Sequence, residues 1–148
     1  MRSGSGKFQS KKAMEERKKN NESLRSMMGS GEQTPQEVEI SEALSKVAAE
    51  HGVESVTTIA LAYVRAKAVD VFPIIGGRKI EHLHDNIKAL SIKLTAKQVE
   101  FLESHTDFKP GFPGDFIGGD SHITGGTAPL VAATAHIDFE VDKPFGLE

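Results

Sequence analysis

The residues best suited to chemistry lie together in Val71-Phe72-Pro73-Ile74-Ile75-Gly76-Gly77-Arg78-Lys79-Ile80-Glu81-His82-Leu83-His84-Asp85-Asn86. The order reads as a strand, two glycines, two cations and a helix. Glycines at a strand-to-helix turn let the backbone approach a ligand closely, and the first helical amides point outward without intrahelical partners. Those amides and the helix dipole favour an anion, to which Arg78 and Lys79 add full charges. A phosphate is the natural ligand for such a turn. The same pattern also occurs on surfaces that bind nothing, so both readings stay open on the local pattern alone.

The remaining reactive side chains form no comparable group. His82 and His84 are two apart, so on a helix they point in different directions and do not share a metal as an i, i+4 pair would. His105, His122 and His136 are scattered, and no metal site is expected. Asp115, Asp120, Asp138 and Glu140 have no partner base, and Ser121-His122 has no companion acid arranged for nucleophilic catalysis. The single tyrosine, Tyr63, sits on the apolar face of an expected helix, where a half-buried packing role is the ordinary one. The chain has no cysteine, which excludes disulfides, thiol nucleophiles, thiolate metal sites and iron–sulfur clusters.

Several elements must position these residues. Thr34-Pro35-Gln36-Glu37 has Thr at an N-cap, Pro at the first helical position and Glu three residues on, which is a capping box. Ile40, Ala43, Leu44, Val47 and Ala48 follow at helical spacing, and Gly52 supplies the stop. Ser55 caps a second helix with Ile59, Ala60, Tyr63 and Val64 on its apolar face and Arg65 and Lys67 near its carboxyl end. Val69–Ile75 is a β-branched, mostly continuous apolar run, as in a strand buried on both faces of a parallel sheet. Pro73 removes one ladder donor and favours a strand end or a bend there. Ile80, Leu83, Ile87 and Leu90 mark a third helix. Thr95-Ala96-Lys97-Gln98 is a second capping box, opening a helix with Val99 and Leu102 inside.

The ends differ from this middle. Residues 1–25 carry eight Lys/Arg against three Asp/Glu, while the whole chain of 148 residues has a net charge of −3, which argues against a general nucleic-acid binder. Residues 1–33 read as a basic polar loop or solvated helix, because the stripe of Met14, Leu24, Met27 and Met28 is too thin to be stable alone. Six of the fourteen glycines fall between Gly111 and Gly126, interleaved with Phe108, Phe112 and Phe116, so residues 106–148 read as a Gly/Pro/Phe-rich tail. Leu147-Glu148 reads as an incidental end. No apolar run is long enough for a membrane helix and no signal peptide opens the chain, so a soluble, cytoplasmic protein is expected. One strand among four helices is an incomplete inventory, since a strand buried on both faces needs neighbours. Residues 34–105 therefore look like the last units of a larger βα repeat.

Val71–Asn86, continued through Ile87-Lys88-Ala89-Leu90-Ser91-Ile92-Lys93-Leu94, resembles the C-terminal cofactor segment of aldo-keto reductases, in particular the aryl-alcohol dehydrogenase and norsolorinic acid reductase branch. Gly6-Lys7-Phe8-Gln9, Ala60-Leu61-Ala62-Tyr63-Val64, Gly111-Phe112-Pro113 and Phe116-Ile117-Gly118 agree with it, so the resemblance runs from about Lys7 to about Lys143. It implies an α/β fold: the C-terminal part of a (β/α)8 barrel, mostly helical, with one clear barrel strand and a loop-rich tail. In such barrels a frequent phosphate site is built from the loops after strands seven and eight. The resemblance further implies NADP(H) as cofactor and small aromatic aldehydes or alcohols as substrates of the full-length relative. By position, Gly76 and Gly77 would hold the adenosine 2′-phosphate through their amides with Arg78 as its cation. His82 falls where many relatives place an Arg, and Asp85 and Asn86 match the acid–amide pair at the adenine edge. Many relatives have Lys at the position of Gly76, and His is a weaker, pH-dependent cation than Arg, so the preference for NADP over NAD is less secured than in those relatives.

The family's Asp–Tyr–Lys–His tetrad lies in the front half of the barrel, ahead of the matched region, and no catalytic residue is expected in this chain. A whole barrel takes about 250 residues, more than this chain provides. The expected function is that of a C-terminal fragment or truncated relative of an NADP-dependent aldo-keto reductase, inactive alone. The alternative is a non-catalytic nucleotide- or protein-binding module derived from the barrel. In relatives the tail lines the substrate pocket, and Phe108, Phe112, Phe116 and Ile117 are candidates for that role or for plain covering of the barrel. Incomplete burial of a barrel piece makes self-association a reasonable hypothesis.

Overall fold

The computed structural model describes Met14, Glu15, Lys19, residues 33–77, 79–109, 111–119, Ser121 and 126–148. The expected loop or helix over 1–33 therefore lies almost wholly outside the described residues. Helix α1 spans Pro35–Glu50, α2 Val56–Lys67, α3 Ile80–Lys88, α4 Ala96–Ser104, α5 Gly114–Ile117 and α6 Pro129–Ala132, with a 3₁₀ turn at Ala89–Ser91 after α3.

Both capping boxes form as the sequence predicts. The Thr34 hydroxyl accepts from the Glu37 amide at 3.2 Å while the Glu37 carboxylate accepts from the Thr34 amide at 2.8 Å. Thr95 and Gln98 repeat this at 3.2 and 3.0 Å. Gln98 does more than cap. Its amide nitrogen donates to Glu50 at 2.8 Å and its oxygen lies 3.2 Å from His51 Nε2, tying the start of α4 to the end of α1. Helix α1 stops where expected, with Gly52 at φ +63 and the Val53 amide donating back to the Ala48 carbonyl at 2.9 Å. Ser55 is the N-cap residue of α2, but its side chain makes no capping bond.

The core lies among α1, α2, residues 92–94 and α4. Val47, Ile59 and Leu94 have no exposed surface, and Leu44 and Leu102 pack with them. Each fully buried Leu, Ile or Val contributes about 1.5–3 kcal/mol from area removed from water. Helix α3 joins this body differently. Of its own residues only Asn86 is buried, with Ala89 of the following turn, while Ile80, Leu83, Ile87 and Leu90 face outward. It is tied to α2 by side-chain hydrogen bonds. Thr58 Oγ1, fully buried on α2, donates to the Asp85 carbonyl at 3.2 Å, and Arg65 Nη1 donates to the Ala89 and Leu90 carbonyls at 3.1 and 3.3 Å.

Two expectations change. The segment expected as a barrel strand, Val69–Ile75, carries no ladder, and no strand occurs among the described residues. A strand exists only by pairing, and no neighbouring strand among those residues supplies a partner, so Phe72, Ile74 and Ile75 are exposed. The tail also differs: Phe108, Phe112, Phe116 and Ile117 are exposed, and α5 touches α6 rather than the core. The tail reaches the body instead through the residues expected to be incidental. Leu94 and Leu147 form an isolated parallel bridge, in which the Leu94 amide donates to the Gly146 carbonyl and the Glu148 amide to the Leu94 carbonyl, both at 2.9 Å. Leu147 packs against the core.

Candidate functional site

Gly76 and Gly77 lie in irregular backbone between the extended segment and α3, both exposed. Arg78 lies outside the described residues. Lys79 is the N-cap of α3 in an extended conformation, and its side chain makes no capping bond, so the first-turn amides are not claimed by a cap. Glu81 stands in that first turn, a negative charge that an incoming anion must share the helix end with. The His82 amide donates to the Lys79 carbonyl at 3.2 Å.

The closest contact in this stretch is between Gly77 and His82. A Cβ added at Gly77 would lie 2.7 Å from His82 Cβ and 3.2 Å from its Nδ1. The backbone thus folds back against the imidazole, and only glycine leaves room. Gly76 is unlike it, with open space where a Cβ would go. Gly76 is also exposed to solvent. The structure thus brings Gly77 and His82 together at the start of α3. Asp85 is half-buried and Asn86 buried one turn further on, against α2, with the Asp85 carbonyl held by Thr58. His84 is exposed.

Sequence reading missed the residues that fix this helix. Thr58 carries a weak signal, a lone hydroxyl within an apolar helix face, but its partner is 27 residues away. Arg65 was legible as a cation at the end of α2, yet its bonds go to the carbonyls after α3.

Away from this region, Tyr63 is half-buried as expected and packs on the core. Its hydroxyl donates to Glu103 Oε1 at 3.0 Å, and Lys67 pairs with the same carboxylate. Burial, then the hydrogen bond to Glu103, then the charge of Glu103 all push the phenol well above its ordinary range. A phenol held so firmly neutral is a poor proton donor. An open groove of about 410 Å³ lies between α2, α4 and residues 141–147, with Lys67, Val99, Glu103 and Pro144 among its walls, and none of the residues expected at the cofactor site lines it. His136 and Asp138 pair at 3.1 Å on the exposed tail. Among the described residues there is no cluster of three metal-ligating side chains and no helix long and apolar enough to cross a membrane.

The aldo/keto reductase family model matches residues 3–107. The chain is 62% identical over 137 residues to a probable aryl-alcohol dehydrogenase of Saccharomyces cerevisiae, a match covering 93% of this chain but 42% of that protein. A putative aryl-alcohol dehydrogenase of the same yeast is 61% identical over 137 residues, and there the match covers 93% of this chain and 90% of the relative. An aldo-keto reductase of Emericella nidulans is 56% identical over 136 residues, with 92% and 34% covered. The chain thus spans less than half of the longer relatives and nearly all of a short one. No solved structure matches. The chain belongs to the aldo/keto reductase family, whose members fold as (β/α)8 barrels.

Proposed function

We infer that the chain carries the adenosine 2′-phosphate segment of an NADP-dependent aldo-keto reductase of the aryl-alcohol dehydrogenase type, without the catalytic tetrad. The observation that supports this best is the fold-back of Gly77 onto His82 at the uncapped start of α3. It sets an imidazole beside the helix end, next to an exposed Gly76. An anion there would meet the first turn of α3 and the positive end of its dipole. Arg78 would supply the permanent charge, and His82 a second one when protonated. Asp85 and Asn86 would meet the adenine edge. When bound, the nicotinamide cofactor supplies a hydride to an aldehyde or ketone. The residues here would hold its adenosine end and take no part in that transfer.

A second reading keeps the nucleotide edge, or a protein-binding surface, as a non-catalytic module. The near-complete coverage of a short relative favours it, because a polypeptide of this extent occurs elsewhere in the family.

The first reading, and the second where it keeps the nucleotide edge, require discrimination for the 2′-phosphate. Calorimetric titration with adenosine 2′,5′-bisphosphate and with adenosine 5′-monophosphate tests it. The bisphosphate binds more tightly, and Arg78→Ala removes a charge-assisted contact of about 1.5–3 kcal/mol, or roughly ten- to over a hundredfold, for the bisphosphate alone. Equal affinity for both, unchanged in the variant, contradicts the reading.

A further inference from the structure

Helix α3 carries the residues read as the adenine edge, and α2 grips it at two points. Thr58 Oγ1 donates to the Asp85 carbonyl at 3.2 Å, and two turns further along α2 Arg65 Nη1 donates to the Ala89 and Leu90 carbonyls at 3.1 and 3.3 Å. Two attachments fix both the slide and the rotation of one helix against the other. Apolar packing along the side of Ile80, Leu83, Ile87 and Leu90, whatever covers it, is non-directional and sets neither so sharply. The Thr58 bond is the less expected of the two. Thr58 has no exposed surface, and the other buried residues of α2 are all Val, Ile or Ala, so packing alone would be served by valine. Nor does the Asp85 carbonyl need the hydroxyl for a partner, because it already accepts from the Ala89 amide. What the bond does is hold the peptide unit between Asp85 and Asn86.

We propose that Thr58 is a positioning residue for the adenine end of the bound nucleotide, acting through the Asp85–Asn86 peptide. The proposal rests on the reading of Asp85 and Asn86 as the adenine edge. The held peptide joins these two residues, so its orientation sets where both side chains start. Asn86 is only 8% exposed and cannot reorient without moving α3 against α2. A recognition edge must be held within about 0.5 Å of its working geometry, and a buried, directional bond from a neighbouring helix does that. Thr58 acts through α3 and does not touch the nucleotide. Two substitutions separate this role from plain packing. Valine has nearly the shape of threonine, so Thr58→Val keeps the core filled and leaves no buried polar atom alone, while the peptide loses its tether. Thr58→Ser is the complement, since it keeps the hydroxyl and deletes a buried methyl.

Calorimetric titration of the full chain with adenosine 2′,5′-bisphosphate, beside thermal unfolding of each variant, tests the proposal. The expected pattern is crossed. Thr58→Val keeps the melting temperature and loses roughly two- to tenfold in affinity, the range of one neutral hydrogen bond. Thr58→Ser lowers the melting temperature and keeps the affinity. The loss in Thr58→Val is the same for adenosine 5′-monophosphate, because the tether acts on the adenine end, whereas Arg78→Ala acts on the bisphosphate alone. Affinity that follows stability across the three chains overturns the proposal and leaves the reading of the site standing. So does a Thr58→Val chain that binds as the unaltered chain does, or one whose loss is confined to the bisphosphate. No binding by the unaltered chain overturns that reading and this inference with it.

Discussion

Replacing Gly146 by alanine isolates the contact that fastens the tail. The added methyl would lie 2.8 Å from the Ala66 nitrogen, 2.9 Å from the Arg65 carbonyl carbon and 3.0 Å from the Ala62 oxygen. All three are backbone atoms of α2, whose Ile59, Ala62 and Ala66 are buried, so α2 cannot yield. The tail end must lift instead. Lifting releases the two 2.9 Å bonds to Leu94, the longer bond from the Gly146 amide to the Arg65 carbonyl and the packing of Leu147. Two backbone hydrogen bonds are worth about 1 kcal/mol each net, and overpacking at a close contact typically costs 1–3 kcal/mol. The expected loss is therefore about 2 kcal/mol, held there because the chain can shed the tail end without opening the core. At this size the melting temperature falls by about 4–8 °C. Urea unfolding gives the global value. Amide exchange gives the local one, since the Leu94 amide loses protection while those inside α1 keep theirs. An unchanged midpoint with Leu94 still protected would show that Gly146 is not seated against α2.

Two further outcomes follow from the same structure. Tyr63 is the single tyrosine and the chain has no tryptophan, so absorbance near 295 nm reports its ionisation alone. Because the fold favours the neutral phenol, its contribution to stability is constant below the free-tyrosine value of about 10 and is lost as pH rises above it; ionisation of the native chain at or below that value would refute the contact with Glu103. The chain alone is expected not to reduce an aromatic aldehyde with NADPH, and turnover that tracks the purified chain and disappears in Tyr63→Phe would overturn that expectation.

The local part of the fold was legible because it is encoded locally. Thr34 and Thr95 with their partners three residues on, and Gly52 at positive φ, fix helix ends within a single turn of chain. What depended on partners far along the chain was not. The run at Val69–Ile75 has strand composition, but strand formation is a property of a pair, and its apolar residues stay outside. The spacing of Ile80, Leu83 and Ile87 announced a helix correctly, but periodicity tells which residues share a side and not what covers it, and here that side is exposed. Gly146 looked like any glycine in a glycine-rich tail, and only the approach to α2 reveals its role. At the candidate site, the glycine turn and the helix start could be read directly. The bonds from Thr58 and Arg65 that hold α3 could not, since they join residues more than twenty positions apart.

The central claim is that the turn before α3 recognises a 2′-phosphate, and its most direct test is residue-by-residue NMR titration of the full chain with adenosine 2′,5′-bisphosphate. The account predicts that the amides of Gly76, Gly77 and the first turn of α3 shift most, with the His82 ring following, and that added salt weakens the effect. Adenosine 5′-monophosphate should leave the glycine amides nearly unmoved. Shifts concentrated elsewhere, or the same glycine response to both nucleotides, would contradict it.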